Sequence, residues 1–363
     1  MITSSLPRLK ILLLSTSVGP LGSGLGGGVE LTLHNIAQAL TQRHHQVTIV
    51  APAGSTCANF PIIQLPGNLQ TTAQSAGRDA AIVLPPEAVL ANMWDYARQV
   101  QADFDLLVNF AYDWLPFFLT PFFHRPIAHL VSMGSLMNAM DQIIGQVAER
   151  FPATIGVHTQ AQAATFPFAS KCRPLGNGFD LSLYQFYPQP QDYLGWVGRI
   201  APEKGLEDAV AAAQLSGIPL KIWGVMQHPD YWEGILQQYP QAPIDYAGFL
   251  PTIELQEALG QSRALVMTPR WVEAFGNVAI EALACGVPVI AYERGGPAEI
   301  VQPGKTGWLV EPDNVSGLVS AIAQLDAIDR RVCRQQAEAD YSLAAMADRL
   351  ESWFSDILAS DPE

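Results

Sequence analysis

A βαβ unit near the start of the chain constrains the fold more than any other feature. Residues 10–15 are almost continuously aliphatic, the pattern of a parallel strand covered on both faces. Residues 19–28 form a glycine-rich loop, and residues 29–43 then place Leu31, Leu33, Ile36, Ala37 and Leu40 at helical spacing. Residues 46–51 supply the next strand. Strand, crossover helix and strand in so short a stretch define an α/β architecture with helices on the faces of a parallel sheet.

The same style continues. Residues 106–110, 127–131 and 153–157 read as short strands, with helices near 86–101 and 138–150. It then begins afresh: 194–197, 220–223, 244–246, 264–267, 287–291 and 307–310 are strands with helices between them. A chain of 363 residues, 49% of them apolar, is long enough for two cores. We therefore expect two doubly wound, Rossmann-like parallel sheets, one over 1–170 and one over 171–340. A last helix follows over 341–363, with Ser342 as its N-cap.

Charge excludes several functions. Twenty Lys and Arg stand against 34 Asp and Glu, a net charge of −14. Such a chain lacks the cations to neutralise a nucleic-acid backbone or to dock on an anionic lipid surface. No apolar run reaches membrane-spanning length, and the first ten residues carry no signal-peptide pattern. Cys57, Cys172, Cys285 and Cys333 lie far apart with no CxxC pair, so neither a metal site nor a disulfide framework is expected. The expectation is a cytoplasmic protein with reduced thiols, no nucleic-acid partner and no stable membrane association, monomeric or a weak homo-oligomer.

Two stretches carry chemistry. In the first, residues 193–205, a short strand is followed by Arg199 and Lys204 bracketing a turn, and a helix opens at Gly205. Arg offers a planar fork for phosphate oxygens and Lys a point charge, and cations are scarce in this chain. In the second, residues 271–290, Glu273 sits in a loop, a helix starts at Gly276-Asn277, and Glu281 falls on its second turn. A helix N-terminus between two carboxylates suits a nucleotide-sugar, with hydroxyls on either side and a diphosphate at the positive end of the helix dipole. Taken singly, each feature also reads as a surface ion pair or a solvated charge.

Together, Gly-Arg-x-x-x-x-Lys-Gly at 198–205 and Glu-x7-Glu at 273–281 resemble the family-four retaining glycosyltransferases, over nearly the whole chain. The resemblance implies the GT-B fold, two Rossmann-like domains facing across a cleft, with the last helix crossing back onto the first domain and Asn177-Gly178-Phe179-Asp180 as the joint. It implies that Arg199, Lys204 and Glu273 are the catalytic residues. Arg199 and Lys204 would stabilise the leaving diphosphate, Glu273 with Phe275, Gly276 and Asn277 would hold the sugar, and Glu281 would accept from the ribose. The base would pack near Trp223-Gly224 and Gly248, Phe249 and Leu250. Gly27 and Gly28 would face the donor phosphates, although a purely structural turn is the other reading of that loop. Its glycines meet the dinucleotide fingerprint only loosely, which counts against a nicotinamide dehydrogenase.

Further candidates are weaker. Asp103-Phe104-Asp105 has the form of a metal-binding Asp-x-Asp but falls at the start of a strand, and we expect a surface turn there. With two cations and a helix end available for the diphosphate, no metal and no cofactor are expected. The family places a His on the strand after Pro126; here His129 lies inside that strand, where a core hydrogen bond is the expected use, and Ser132 takes the usual position. His158, which begins another loop, is a second candidate. No Gly-x-Ser-x-Gly elbow supports a hydrolase.

For the acceptor, Phe110, Tyr112, Trp114, Phe117, Phe118, Met133, Met137 and Met140 enrich the loops of the first domain in rings and thioethers. Some must be core, and the remainder could stack a flat heterocycle. Tyr112, Asp113, Trp114, Ser132 and Met133 are the acceptor candidates, with a helix N-cap as the alternative use of Asp113. At a finer level, residues 17–28 and 109–116 look like the cyanobacterial UDP-glucose:tetrahydrobiopterin glucosyltransferases, which implies UDP-glucose as donor substrate and a reduced pterin as acceptor. A nucleotide-sugar epimerase, a transferase acting on a glycan or lipid, and a non-catalytic nucleotide-binding protein are the alternatives.

Overall fold

The computed structural model describes residues 6–73 and 77–360. The chain divides into two units, one made of 1–178 with 343–363 and the other of 179–342. The boundary falls later than the 170/171 expected from sequence, because the connecting stretch still belongs to the first sheet. Arg173–Pro174 pairs with Ile155–Val157, and Asn177 Nδ2 donates to Thr32 Oγ1 at 3.0 Å.

In the first unit the described residues form seven strands: β1 Lys10–Leu14, β2 Gln46–Pro52, β3 Ile62–Leu65, β4 Leu106–Asn109, β5 Ile127–Leu130, β6 Ile155–Val157 and β7 Arg173–Pro174. Their order is β3-β2-β1-β4-β5-β6-β7, parallel throughout. Ile11–Leu14 face Val47–Val50 on one side and Leu106–Asn109 on the other, and all four β1 side chains are fully buried. Helix Gly28–Gln42 covers one face and packs on the final helix, Leu343–Ser360. That helix buries Leu343, Met346, Ala347, Leu350, Trp353, Phe354 and Ile357, a helical stripe. Trp353 Nε1 donates to Ala153 O at 2.6 Å, and Arg349 reaches Leu175 O and Asn177 O. The last helix is thus part of the first core, and truncating Trp353 to Ala would cost about 3–5 kcal/mol.

The second unit has six strands among the described residues: β8 Leu194–Val197, β9 Leu220–Trp223, β10 Ile244–Gly248, β11 Leu265–Met267, β12 Val289–Tyr292 and β13 Gly307–Val310. Their order, β10-β9-β8-β11-β12-β13, is that of a dinucleotide-binding sheet. The order reverses between β8 and β11, so the crevice at the carboxyl ends of those two strands is where such a sheet binds ligands. The equivalent reversal in the first unit lies between β1 and β4.

Strands and helices fall where periodicity put them, shifted by a residue or two at their ends. Two strands escaped it: β3 is a short edge strand and β7 only two residues long. Helix Val89–Val100 starts later than expected, after the turn residue Glu87 with its left-handed φ of 49°.

Candidate functional site

The loops after β8 and β11 flank the switch point of the second sheet, and both sequence motifs lie on them. Lys204 ends the turn Pro202–Lys204, and Gly205 follows with φ 62°. A Cβ at Gly205 would lie 2.1 Å from Thr268 O, so only glycine lets the two loops come this close. Thr268 Oγ1 donates to Gly205 O at 2.7 Å, and Arg270 N donates to Glu203 O at 2.9 Å. These contacts bring Lys204 Nζ to 2.5 Å from Glu273 Oε2. Trp271 serves both partners: its indole N–H donates to Glu273 Oε2 at 3.1 Å, and Lys204 Nζ stands 5.1 Å above its ring. Burial alone would raise the Glu273 carboxyl, but Lys204, the Trp271 bond and Arg199 outweigh it and hold the group below its ordinary range.

Arg199 is paired rather than open. Its Nη2 lies 2.8 Å from Glu203 Oε1 and its Nη1 donates to Gln227. A third loop, after β12, closes the site. Gly296 N donates to Glu273 O at 2.7 Å, and a Cβ at Gly295 would meet the Glu273 backbone at 2.5 Å. The Glu273 loop is further tied down by Arg270, which pairs with Glu207, Asp208 and Asp313.

Gly276, with φ 96°, caps helix Asn277–Ala284, and Phe275 is buried with its ring edge-on to Tyr341. Glu281 is 8% exposed and accepts from the Tyr184 hydroxyl at 3.2 Å. Burial pushes its carboxyl up to about 6. At the ends of β9 and β10, Gly224 N donates to Gly248 O at 2.9 Å, Trp223 is core, Leu250 is half-buried and Phe249 is 68% exposed.

In the first unit the glycine loop holds a surprise for the phosphate reading. The N–H groups of Gly22, Gly24 and Gly26 point at an anion, and that anion is the carboxylate of Glu30, at 2.7, 3.2 and 2.6 Å. Gly27 N donates to Gly24 O, and Gly27 then caps helix Gly28–Gln42.

Of the ring-rich acceptor loops, Phe110, Phe117, Met137 and Met140 are core. Trp114 stacks on Phe118 with centroids 4.5 Å apart, and Phe118 is exposed. Tyr112 Oη accepts from Leu136 N at 3.5 Å, and burial pushes its hydroxyl up to about 12. Ser132 and Met133 are half-buried, and Met133 O accepts from Gln162. Asp113 is the N-cap of helix Trp114–Leu119, and its Oδ2 also accepts from Gln70 Nε2 at 2.7 Å. Gln70 Oε1 in turn accepts from Ser17 Oγ, so a polar chain crosses the carboxyl ends of β1 and β4. Burial raises the Asp113 carboxyl above its ordinary range.

His129 is fully buried between Asn109 and Thr120, and burial drives its imidazole down to about 3. His158 is buried, with Nδ1 3.0 Å from Gly176 O. Asp105 accepts from Lys10 N at 2.7 Å, tying β1 to the turn before β4. Among the described residues no helix is long and apolar enough to cross a membrane.

Sequence reading missed Trp271, Tyr184, Gln227 and the Gly295-Gly296 pair. Only the glycine pair, at a strand end before Pro297, left a local signal.

The fold is GT-B. Anabaena HepE in complex with UDP and glucose matches at a TM-score of 0.74 and 20% identity, over 96% of this chain and 100% of that one. Sucrose-phosphate synthase from Thermosynechococcus elongatus matches at 0.74 and 21%, over 97% and 100%. In sequence, residues 186–340 match the family described as Glycosyl transferases group 1. D-inositol 3-phosphate glycosyltransferase of Mycolicibacterium smegmatis is 32% identical over 179 residues, 46% of this chain and 41% of that protein. Glycogen synthase of Mycobacterium tuberculosis is 31% identical over 202 residues, 52% of this chain and 46% of that protein. The matched stretches span less than half the length of these curated relatives.

Proposed function

We propose that this chain is a retaining glycosyltransferase that moves glucose from UDP-glucose to a small hydroxylated acceptor, a reduced pterin such as tetrahydrobiopterin. The observation that carries the reading is the meeting of Lys204 and Glu273 at the switch point of the second sheet, with Arg199 beside them. Cations for a diphosphate and a carboxylate for sugar hydroxyls then stand where a nucleotide fold binds its ligand. The segment similarity to glycosyl transferases group 1 covers these residues, and the HepE complexes with UDP and glucose make UDP-glucose the first donor to try.

In the reaction the acceptor oxygen bonds to the anomeric carbon on the face that the diphosphate leaves. The carbon–oxygen bond to the phosphate breaks, and the departing phosphate oxygen takes the acceptor proton. No enzyme nucleophile is required. Arg199, Lys204 and the N-terminus of helix Asn277–Ala284 stabilise the charge that grows on the diphosphate, in place of a metal. Glu273 and the backbone at 275–277 orient the sugar, and Glu281 accepts from the ribose. Tyr112, Asp113, Trp114, Ser132 and Met133 of the first unit are the proposed acceptor contacts. Free cysteines and the acidic charge fit a cytoplasmic protein, monomeric or weakly associated.

Incubation with a panel of nucleotide-sugars and acceptors, reduced pterins, inositol phosphates and glycans included, followed by mass spectrometry of the products, tests the reading. A glucosylated pterin that forms in excess chelator with its anomeric configuration retained supports every part of it. Donor turnover without any acceptor would favour an epimerase instead, and a glycoside of inositol phosphate or glycan would replace the pterin.

A further inference from the structure

Tyr184 lies in the connector before β8, outside both motifs, yet its hydroxyl reaches the carboxylate on helix Asn277–Ala284. Both side chains are buried, Tyr184 at 4% exposure and Glu281 at 8%. The residue is held through its backbone and its ring. Tyr184 N donates to Leu181 O at 3.3 Å, and Tyr184 O accepts from Arg334 Nη1 at 2.8 Å. The same guanidinium nitrogen donates to Ala284 O at 2.7 Å, which locks the connector to the C-terminal end of the helix that carries Glu281. Phe179 packs edge-on against the Tyr184 ring. Among the described residues, Tyr184 is the side chain that hydrogen-bonds the Glu281 carboxylate.

A carboxylate that must accept from two vicinal hydroxyls needs a fixed plane, because both bonds are lost if it rotates. A hydroxyl pinned on Oε1 fixes that plane and leaves Oε2, with the second lone pair of Oε1, for the ligand.

We propose that Tyr184 is the positioning residue that orients Glu281 toward the ribose diol, and so makes the site selective for ribonucleoside over deoxyribonucleoside diphosphates. The inference rests on the nucleotide-sugar reading above. Tyr184 touches no substrate itself; it acts through Glu281.

The test is isothermal titration of the full chain with UDP, 2′-deoxy-UDP and 3′-deoxy-UDP. Hydrogen bonds to a charged group lead us to expect that wild type binds UDP roughly tenfold or more tightly than either deoxy form. In Tyr184→Phe the ring still packs, so the fold should hold, as a thermal melt will check. UDP, which has two bonds to lose, should weaken most, until the preference is below about threefold, while each deoxy form, with one bond to lose, weakens less. Glu281→Gln reads the same contact from its other side and should shrink the preference as far. A purely structural tyrosine would weaken all three ligands equally. Tyr184→Phe with the full preference kept, whether or not all three ligands weaken by the same factor, overturns the inference alone. A wild-type chain that binds neither UDP nor its deoxy forms overturns the nucleotide reading, and the inference with it.

Discussion

Lys204 and Glu273 hold each other, the ammonium nitrogen 2.5 Å from Oε2, with the Trp271 indole against both. The proposed phosphate cation and the proposed sugar carboxylate therefore neutralise one another. A diphosphate drawn to Lys204 competes with Glu273 for the ammonium, so its binding weakens or opens the pair. Trp271 makes this opening less costly, because each partner keeps a contact to the indole when the other leaves.

This pairing yields a prediction of unusual sign. Glu273→Gln should reduce sugar transfer by about a hundredfold, since an orienting charge is lost. The same change frees Lys204 and should tighten UDP by about 1 kcal/mol, roughly fivefold, the scale of a modest ion pair. Isothermal titration with UDP alone decides it. Weaker UDP binding in the variant would mean that the pair does not compete with phosphate.

Arg199 gives a second prediction. It reaches the site with Glu203 and Gln227 holding its guanidinium. Arg199→Ala should lower kcat/KM by roughly a hundredfold, about 3 kcal/mol, as for other preorganised charges on a leaving group. Arg199→Lys should recover little, because a point charge lacks the planar fork. Steady-state donor kinetics on both variants check this, and a wild-type kcat/KM in Arg199→Ala would remove the residue from the mechanism.

Sequence revealed the helix at Asn277 and the turn at Lys204 because glycines punctuate both and the apolar spacing is sharp on either side. It could not reveal that Lys204 pairs with Glu273, because that contact depends on Gly205 letting two distant loops close to backbone distance. Tyr184 and Trp271 were invisible for the same reason: an aromatic side chain becomes part of a site only through what the fold sets beside it. The resemblance turned Gly27 and Gly28 toward an anion, whereas the N–H groups that meet one are those of Gly22, Gly24 and Gly26. That Glu30, in the first turn of the following helix, supplies the anion depended on a turn whose path spacing does not encode. The acceptor rings divided into core and surface by which face of a short helix each occupies: Phe117 is buried and Phe118 is exposed.

The pH dependence of Glu281 can be signed. Burial raises its carboxyl from 4.5 to about 6, with the Tyr184 hydroxyl pulling the other way. Between those values the folded chain keeps a proton that the unfolded chain has released. Stability is therefore greatest below 4.5 and declines as pH rises through about 6, by about 2 kcal/mol in all. Glu273, held low, contributes with the opposite sign, and its share is lost as pH falls. Glu281→Gln should accordingly melt above wild type at about pH 8 and lose that advantage near pH 4.5. Cys285, pushed up to about 12, stays a thiol over this range, and Arg330 and Arg334 on the packed helix are common to both chains. Glu254, Glu257 and Glu299 on the other packed helices are common to both chains and cancel. In wild type, UDP should bind more tightly as pH rises through about 6, when Glu281 becomes a full acceptor; in the variant the rise should shrink to the part that comes from ionisation of the UDP terminal phosphate, whose second pKa is also about 6. Melting curves and titrations across pH measure both, and identical melting profiles would show that Glu281 is not buried in its neutral form.

The acceptor assignment turns on Asp113. Its Oδ1 caps helix Trp114–Leu119 and its Oδ2 takes the Gln70 amide, so a substitution must keep the cap to be informative. Asparagine caps as well as aspartate, so Asp113→Asn removes the charge and leaves the helix start intact. The melting temperature should change little. If the carboxylate receives the donor groups of a pterin ring or orients the attacking hydroxyl, the acceptor KM should rise by about tenfold or more, the scale of a charged hydrogen bond. Donor affinity should stay the same, because the proposed donor contacts Arg199, Lys204, Glu273 and Glu281 all belong to the second unit. Titration with UDP-glucose alone, followed by kinetics with varied reduced pterin, separates the two effects. A variant that loses donor binding but keeps its acceptor KM would move the acceptor site away from the carboxyl ends of β1 and β4.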